Sequence, residues 1–310
     1  MIVTLTVNPA LDIYTSVDQI ESNKKLKCAP SRMDPGGGGI NVSRVIQRLG
    51  GKSLAIYTRG GYTGKMYSEL LDKENVNQDP VDVKNDLRQN FAVRETSSGN
   101  LFRFGMPGAV LEEADYQIIL EKIEHYNKAE FLVVSGSLPP DAPHDFYVQV
   151  AKKARINKQK FILDTSGKAL SGILEEGAYL IKPSIDELKD LTGENAEDEQ
   201  EQRNLLLKVI ENYDVNIIVL SLGAKGALVA TQNRVDHFQA PSVESKSSIG
   251  AGDSMVAGIV FSLAQGKSLT KAVLFGLACG SATIKTPGTQ LLYKQDAEQL
   301  YNELISLQLK

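Results

Sequence analysis

Cysteine is scarce in this chain of 310 residues: there are two, Cys28 and Cys279. Neither has a second cysteine or a histidine at metal-ligand spacing, which argues against structural zinc and fits a reducing cytosol. A long apolar run is also missing; none reaches membrane-spanning length. No charge sign dominates. The formal net charge is -4 with 23% charged residues of mixed sign, which argues against a nucleic-acid partner and leaves basic residues to act locally. The first residues, Met1-Ile-Val-Thr-Leu-Thr-Val, carry no basic region or cleavage signature, so the expectation is a cytoplasmic protein with no membrane partner. Repeats, long linkers and low-complexity tracts are absent. No Gly-x-Gly-x-x-Gly turn follows the first strand, which speaks against a dinucleotide-dependent oxidoreductase.

What is present is an ordinary globular composition, 42% hydrophobic, on a chain longer than one core usually needs. Ile2 to Val7 reads as a buried first strand ending at Asn8-Pro9, with Asp12 on the segment that leaves it. Residues 13–33 read as short strands. From about residue 112, helices near 112–128, 143–157, 185–192 and 198–213 alternate with short apolar strands at 131–134, 161–163, 179–181 and 217–220. That alternation predicts a parallel sheet buried on both faces. Several of these strands end in small or polar residues: Ser135-Gly136-Ser137, Asp164-Thr165-Ser166, Lys182-Pro183-Ser184 and Ser221-Leu222-Gly223. Ligands of open α/β sheets bind there, off the carboxyl ends of strands. Two helices follow at 268–285 and 294–308. Segments at about 12–34 and 86–106 read as strands of a separate sheet inserted in one α/β domain covering 1–310.

Two glycine-rich turns precede helices. One is Gly36-Gly37-Gly38-Gly39 with Asn41 just beyond, and the other is Gly250-Ala251-Gly252-Asp253. A helix opened this way points free N–H groups and a partial positive charge at whatever sits before it, which suits a phosphate. Asp253 has a plain reading as an N-cap and a sharper one as a general base beside a transferring phosphoryl group. The four glycines read either as a flexible loop or as backbone bared for a ligand, with Asn41 able to bond hydroxyls. Arg88 and Arg103, on strands joined by a turn at 98–100, are either solvated or a fork pair for a phosphate.

Gly-Gly-Gly-Gly-Ile-Asn-Val at 36–42, Ser-Gly-Ser-Leu-Pro-Pro at 135–140 and Ile-Gly-Ala-Gly-Asp-Ser at 249–254, in this order, resemble the PfkB-type, ribokinase-like sugar kinases. The resemblance covers essentially the whole chain. It implies an α/β fold with a central, mostly parallel sheet between helices, and a small β-sheet lid through which two copies pair as a homodimer. The opening Thr-Leu-Thr-Val-Asn-Pro-Ala-Leu-Asp is similar to the phosphosugar kinases within that family. The expected reaction is ATP-dependent phosphorylation of a primary hydroxyl of a ketohexose phosphate, with fructose 6-phosphate foremost. Tagatose 6-phosphate and fructose 1-phosphate are the alternatives, and a non-catalytic phosphosugar sensor is the alternative of another class. The all-glycine loop, where related branches usually carry a lysine at the third position, and Arg88-Gln89-Asn90 with Arg103-Phe104 favour fructose 6-phosphate.

By matching position the resemblance implies Asp253 as catalytic base and Gly250, Ala251 and Gly252 as the anion hole. Asp12, Gly37, Gly38 and Asn41 would hold sugar hydroxyls, and Lys25, Arg88 and Arg103 the sugar phosphate, with Ser137 nearby. Lys182, Ser184, Ser221, Gly223 and Gly226 fall on the ATP side, and Glu187 would organise Mg2+ through water. Two departures stand out. Ser184 replaces an asparagine of the family's Asn-x-x-Glu, and Thr286 and Gln290 replace other polar residues near a monovalent-cation site, which leaves K+ dependence open.

Overall fold

The structure, a computed structural model, describes residues 1–232 and 234–308. The amino-terminal part contains β1 (Ile2–Thr6), β2 (Ala10–Val17), β3 (Arg32–Gly36), α1 (Gly38–Arg48), β4 (Ser53–Gly60) and α2 (Gly61–Lys73). Then come β5 (Asn77–Val83), β6 (Arg88–Glu95), β7 (Leu101–Phe104), α3 (Glu113–His125), β8 (Phe131–Ser135) and α4 (Phe146–Ile156). The next stretch holds β9 (Lys160–Asp164), α5 (Lys168–Glu176), β10 (Ala178–Ile181), α6 (Ile185–Thr192), α7 (Glu199–Asn212) and β11 (Val215–Ser221). The chain closes with β12 (Ala227–Thr231), β13 (Arg234–Phe238), α8 (Ala251–Ala264), α9 (Leu269–Ile284) and α10 (Lys294–Gln308).

Nine strands form one sheet in the order β13-β12-β11-β10-β9-β8-β1-β4-β5. Pairing is parallel from β5 across to β11 and antiparallel for β12 and β13. Both faces are buried, as the continuous apolar runs predict. Leu132 and Val134 of β8 enter a core with residues of α3, α4 and α7, while Phe131 and Val133 enter one with residues of α1, α8 and α9. The fold is thus the expected α/β arrangement of a mostly parallel sheet between helices.

Four further strands make a second sheet in the order β3-β2-β6-β7. Two details differ from the sequence reading. Asp12 lies within β2, and residues 18–31 form no strand, so Lys24, Lys25 and Lys27 sit on a loop. Three features were not anticipated: β5, α5 and the β12–β13 hairpin. Strand β5 carries Pro80, which an edge strand tolerates, and α5 begins after Gly167 without a capping side chain.

Candidate active site

Strands β4 and β5 extend the large sheet to one side of β1, and β8 to β11 to the other. Helix α1 packs on one face of the sheet and α4 on the opposite one. The connections therefore diverge between β1 and β8, which opens a crevice at the strands' carboxyl ends. A cleft of roughly 560 Å³ lies there. Ten of the expected residues line it: Asp12, Gly37, Gly38, Asn41, Arg88, Arg103, Ser137, Glu187, Gly250 and Asp253. Asn90, Ser135, Asp164 and Thr289 line it as well. The sequence pointed to Ser135 and Asp164 only as strand ends facing the crevice and to Asn90 only as a neighbour of Arg88, gave none of them a role, and did not point to Thr289.

Asp253 is not a cap. The N-cap of α8 is Gly250, in the left-handed conformation at φ 75°, and no side chain caps that end. Asp253 sits three residues further on. Its Oδ2 accepts from Asn41 Nδ2 at 2.9 Å and its Oδ1 from Ser135 Oγ at 3.2 Å. Ala251 and Gly252 complete the first turn of α8. No side chain takes the donors at the mouth of the helix, although the Ala251 N–H donates to the Ser248 carbonyl at 3.3 Å.

The four glycines have individual reasons, and most are packing reasons. A Cβ on Gly36 would collide with the Asp12 carboxylate, one on Gly38 with Ser135, and one on Gly39 with the Leu5 carbonyl. Gly37 has φ 115°. Bare backbone here lets α1 start against β1 and β8, which delivers Asn41 to Asp253.

The second sheet supplies the facing wall. Burial pushes the Asp12 carboxyl up to about 6, against the opposing pull of the Asn90 hydrogen bond, Arg88, Arg44 and Arg103; Asn90 Nδ2 donates to Asp12 Oδ1 at 3.0 Å. Arg88 and Arg103 do lie on neighbouring antiparallel strands, but they are held differently. Arg88 donates to the carbonyls of Asn8 at 2.9 Å, Met106 at 3.2 Å and Pro9 at 3.3 Å. It thus ties the small sheet to the end of β1. Arg103 is exposed and, among the described residues, makes no hydrogen bond or ion pair. Lys25 is exposed on the 18–31 loop and is not among the residues lining the cleft.

The residues matched to the nucleotide side gather at the ends of the adjacent strands β10 and β11. Ser184 and Ser221 form an isolated β-bridge, and Ser221 Oγ donates to the Pro183 carbonyl at 3.2 Å. Gly223, at φ 59°, opens a short 3-10 turn that ends at Gly226, at φ 95°. Ser184 caps α6: its Oγ accepts from Glu187 N at 3.2 Å, and Glu187 Oε2 accepts from Ser184 N at 2.8 Å. Lys182 Nζ pairs with Asp164 Oδ1 at 3.1 Å, both largely buried.

This pair is informative about charge. Burial raises the Asp164 carboxyl above its ordinary range, and neighbouring Asp253 adds to the rise. Burial alone would lower Lys182, yet Asp164, Glu187 and Asp253 together hold it above its ordinary value. The rise of Lys182, set against burial, reports the surplus of negative charge at the floor of the cleft, where Asp164, Glu187 and Asp253 act on one lysine. That surplus fits a divalent cation. Among the described residues no trio of His, Cys, Asp or Glu could enclose a metal, so the donor set fits an ion held by one or two carboxylates, water and substrate phosphates.

The pfkB family carbohydrate kinase profile matches residues 6–296. The ATP-dependent 6-phosphofructokinase isozyme 2 of Mycobacterium tuberculosis is 39% identical over 301 residues, which cover 97% of this chain and 88% of that protein. Phosphofructokinase-2 from Escherichia coli in complex with potassium superposes with a TM-score of 0.94 at 38% identity, over 98% of this chain and 99% of that one. The same enzyme in complex with fructose-6-phosphate superposes with a TM-score of 0.91 at 37% identity, over 98% and 99%.

Proposed function

The chain belongs to the pfkB family of carbohydrate kinases, and from that premise we propose that it transfers the γ-phosphoryl group of ATP to a primary hydroxyl of fructose 6-phosphate. One observation carries the reading. Asp253 is freed from capping and held by Asn41 and Ser135 at an uncapped helix mouth. Across the cleft from it stands Arg103, whose guanidinium has no hydrogen-bond or ion-pair partner among the described residues.

In this reading Asp253 accepts the proton of the attacking hydroxyl. The sugar oxygen bonds to the γ-phosphorus as the bond to the β,γ-bridging oxygen breaks, and ADP leaves. The amides of Gly250, Ala251 and Gly252 meet the charge on the transferring oxygens. Asp12, Asn41 and the backbone at Gly37 and Gly38 hold sugar hydroxyls. Arg103 holds the sugar phosphate, and Arg88, with Ser137 nearby, holds the wall that carries it. Lys182, Ser221, Gly223 and Gly226 support the nucleotide directly, while Ser184 acts through its backbone N–H, which holds Glu187. Glu187 and Asp164 would hold Mg2+, which supplies charge neutralisation on the phosphates when bound. The small sheet acts as a lid that excludes water, which suppresses ATP hydrolysis.

A homodimer through the lid would cover its exposed Met33 and Phe102 and bring Lys25 of one copy toward its neighbour; light scattering tests that. No helix among the described residues is long and apolar enough to cross a membrane, and the two unpaired cysteines fit reducing cytosol. Potassium dependence is read by exchanging K+ for Na+. The deciding experiment is a coupled ADP-release assay with fructose 6-phosphate, fructose 1-phosphate and tagatose 6-phosphate side by side. A kcat/KM for fructose 6-phosphate no higher than for the other two refutes the substrate assignment.

A further inference from the structure

Arg44, on α1, is 1% exposed, one of the most deeply buried charges in the chain. Its guanidinium serves four acceptors. Nε and Nη2 donate to the Glu74 carboxylate at 3.0 and 2.6 Å, and Nη2 also reaches Asp34 Oδ1 at 3.4 Å. Nη1 donates to the Pro35 carbonyl at 2.7 Å and to Asn41 Oδ1 at 3.3 Å. The last bond matters for chemistry. The two ends of an Asn amide have nearly the same shape, so packing alone does not choose which end faces Asp253. Arginine only donates. With Arg44 on one side, Asn41 must present its oxygen there and its NH2 to Asp253, where Nδ2 donates to Oδ2 at 2.9 Å. Reversed, the amide would set an acceptor against the carboxylate and a donor against the guanidinium.

We propose that Arg44 is a positioning residue for phosphoryl transfer: it fixes the orientation of the Asn41 amide and through it the placement of the Asp253 carboxylate. The ion pairs with Glu74 and Asp34 neutralise the buried cation, and the bond to Asn41 is the output. This inference rests on Asp253 being the base.

The test separates the donor from the charge. Arg44→Met/Glu74→Gln removes the buried pair and the donor together, a replacement that buried ion pairs often tolerate. Arg44→Gln/Glu74→Gln removes the same charges but keeps an amide donor three residues from Asn41, within side-chain reach on a helix. With ATP and fructose 6-phosphate, kcat of the Met variant is expected to be about ten- to a hundredfold below that of the Gln variant, the scale of one hydrogen bond to a charged group. KM for ATP should agree between them within about twofold. Adding Asn41→Ala should erase the difference, because the two residues act in series. Equal kcat in the two variants, or a difference that survives Asn41→Ala, overturns the proposal. Should the Met variant fail to fold, Arg44→Lys/Asn41→Ala against its single variants carries the same cycle, and additive effects there overturn it too. Asp253→Asn run alongside keeps the premise separate. Lost turnover there with equal Arg44 variants refutes this inference alone; retained turnover refutes the premise.

Discussion

Asp12→Asn should make this enzyme worse and its fold more stable. The carboxyl is raised from 3.8 to about 6 with burial as the leading cause. The raised value means that the folded state disfavours ionised Asp12 relative to the unfolded chain. At about 1.4 kcal/mol per unit, a shift of roughly two units amounts to ~3 kcal/mol. The sign follows from linkage. For a group raised on folding, the favourable contribution is complete below the unfolded value and is lost as pH rises through the folded one. Ionised Asp12 therefore weakens the fold fully above about pH 6, about half as much near pH 5, and little below pH 4. Asparagine keeps the shape and an acceptor for Asn90 without the charge. Urea unfolding at fixed protein concentration should show a gain of about 1–3 kcal/mol at pH 8 that shrinks to about half at pH 5. The same substitution should raise KM for fructose 6-phosphate while leaving KM for ATP nearly unchanged, since Asp12 stands on the lid side of the cleft. A variant no more stable than the parent at pH 8, or one whose gain does not change with pH, would refute the assignment of a destabilising buried charge.

Asp253→Asn should lower kcat by about 10²–10⁴-fold, the usual weight of a general base, with sugar binding nearly intact in equilibrium titration; near-normal turnover contradicts the role. Arg103→Ala should raise KM for the phosphosugar far more than KM for ATP, and Arg88→Ala should also lower stability, because Arg88 bonds three carbonyls at the base of the lid. Thermal melts and steady-state kinetics of the pair separate clamp from strut. Ser184→Ala should cost about 1 kcal/mol in urea unfolding through the lost cap, yet change KM for ATP little, since Glu187 is still held by the Ser184 N–H. Ser184→Asn, itself a good cap, should be silent in both assays.

The large sheet was legible because strands buried on both faces carry continuous apolar runs, as β8 to β11 do at 131–134, 161–163, 178–181 and 217–220. The small sheet was legible in part, since its strands alternate weakly and most of their residues are not buried. Strand β5 escaped notice because an edge position tolerates Pro80 and polar residues that would disqualify a central strand. The same limit applied at the site. Residue identity showed that Asp253 stood in a first helical turn. Only the fold showed Gly250 taking the cap, which is what releases the carboxylate.

The glycine loop turns that contrast into a physical point about how such sites are assembled. A run of four glycines invites a reading in which ligand atoms fill the missing side chains. Here protein atoms fill most of them: the Asp12 carboxylate, Ser135 and the Leu5 carbonyl occupy the places where three Cβ atoms would stand. Two of those three groups line the cleft themselves. On the proposed reading the loop serves the ligand indirectly, by letting groups from β2 and β8 approach β3 and α1 closely enough to share one small space with Asn41. A β-carbon at Gly38 would act first on Ser135, and through its hydroxyl on Asp253, before it touched any sugar. Sequence pattern locates a site of this kind well, because the pattern records close approach. It does not record which partner approaches, and that distinction decides whether a residue is a contact or the reason a contact exists.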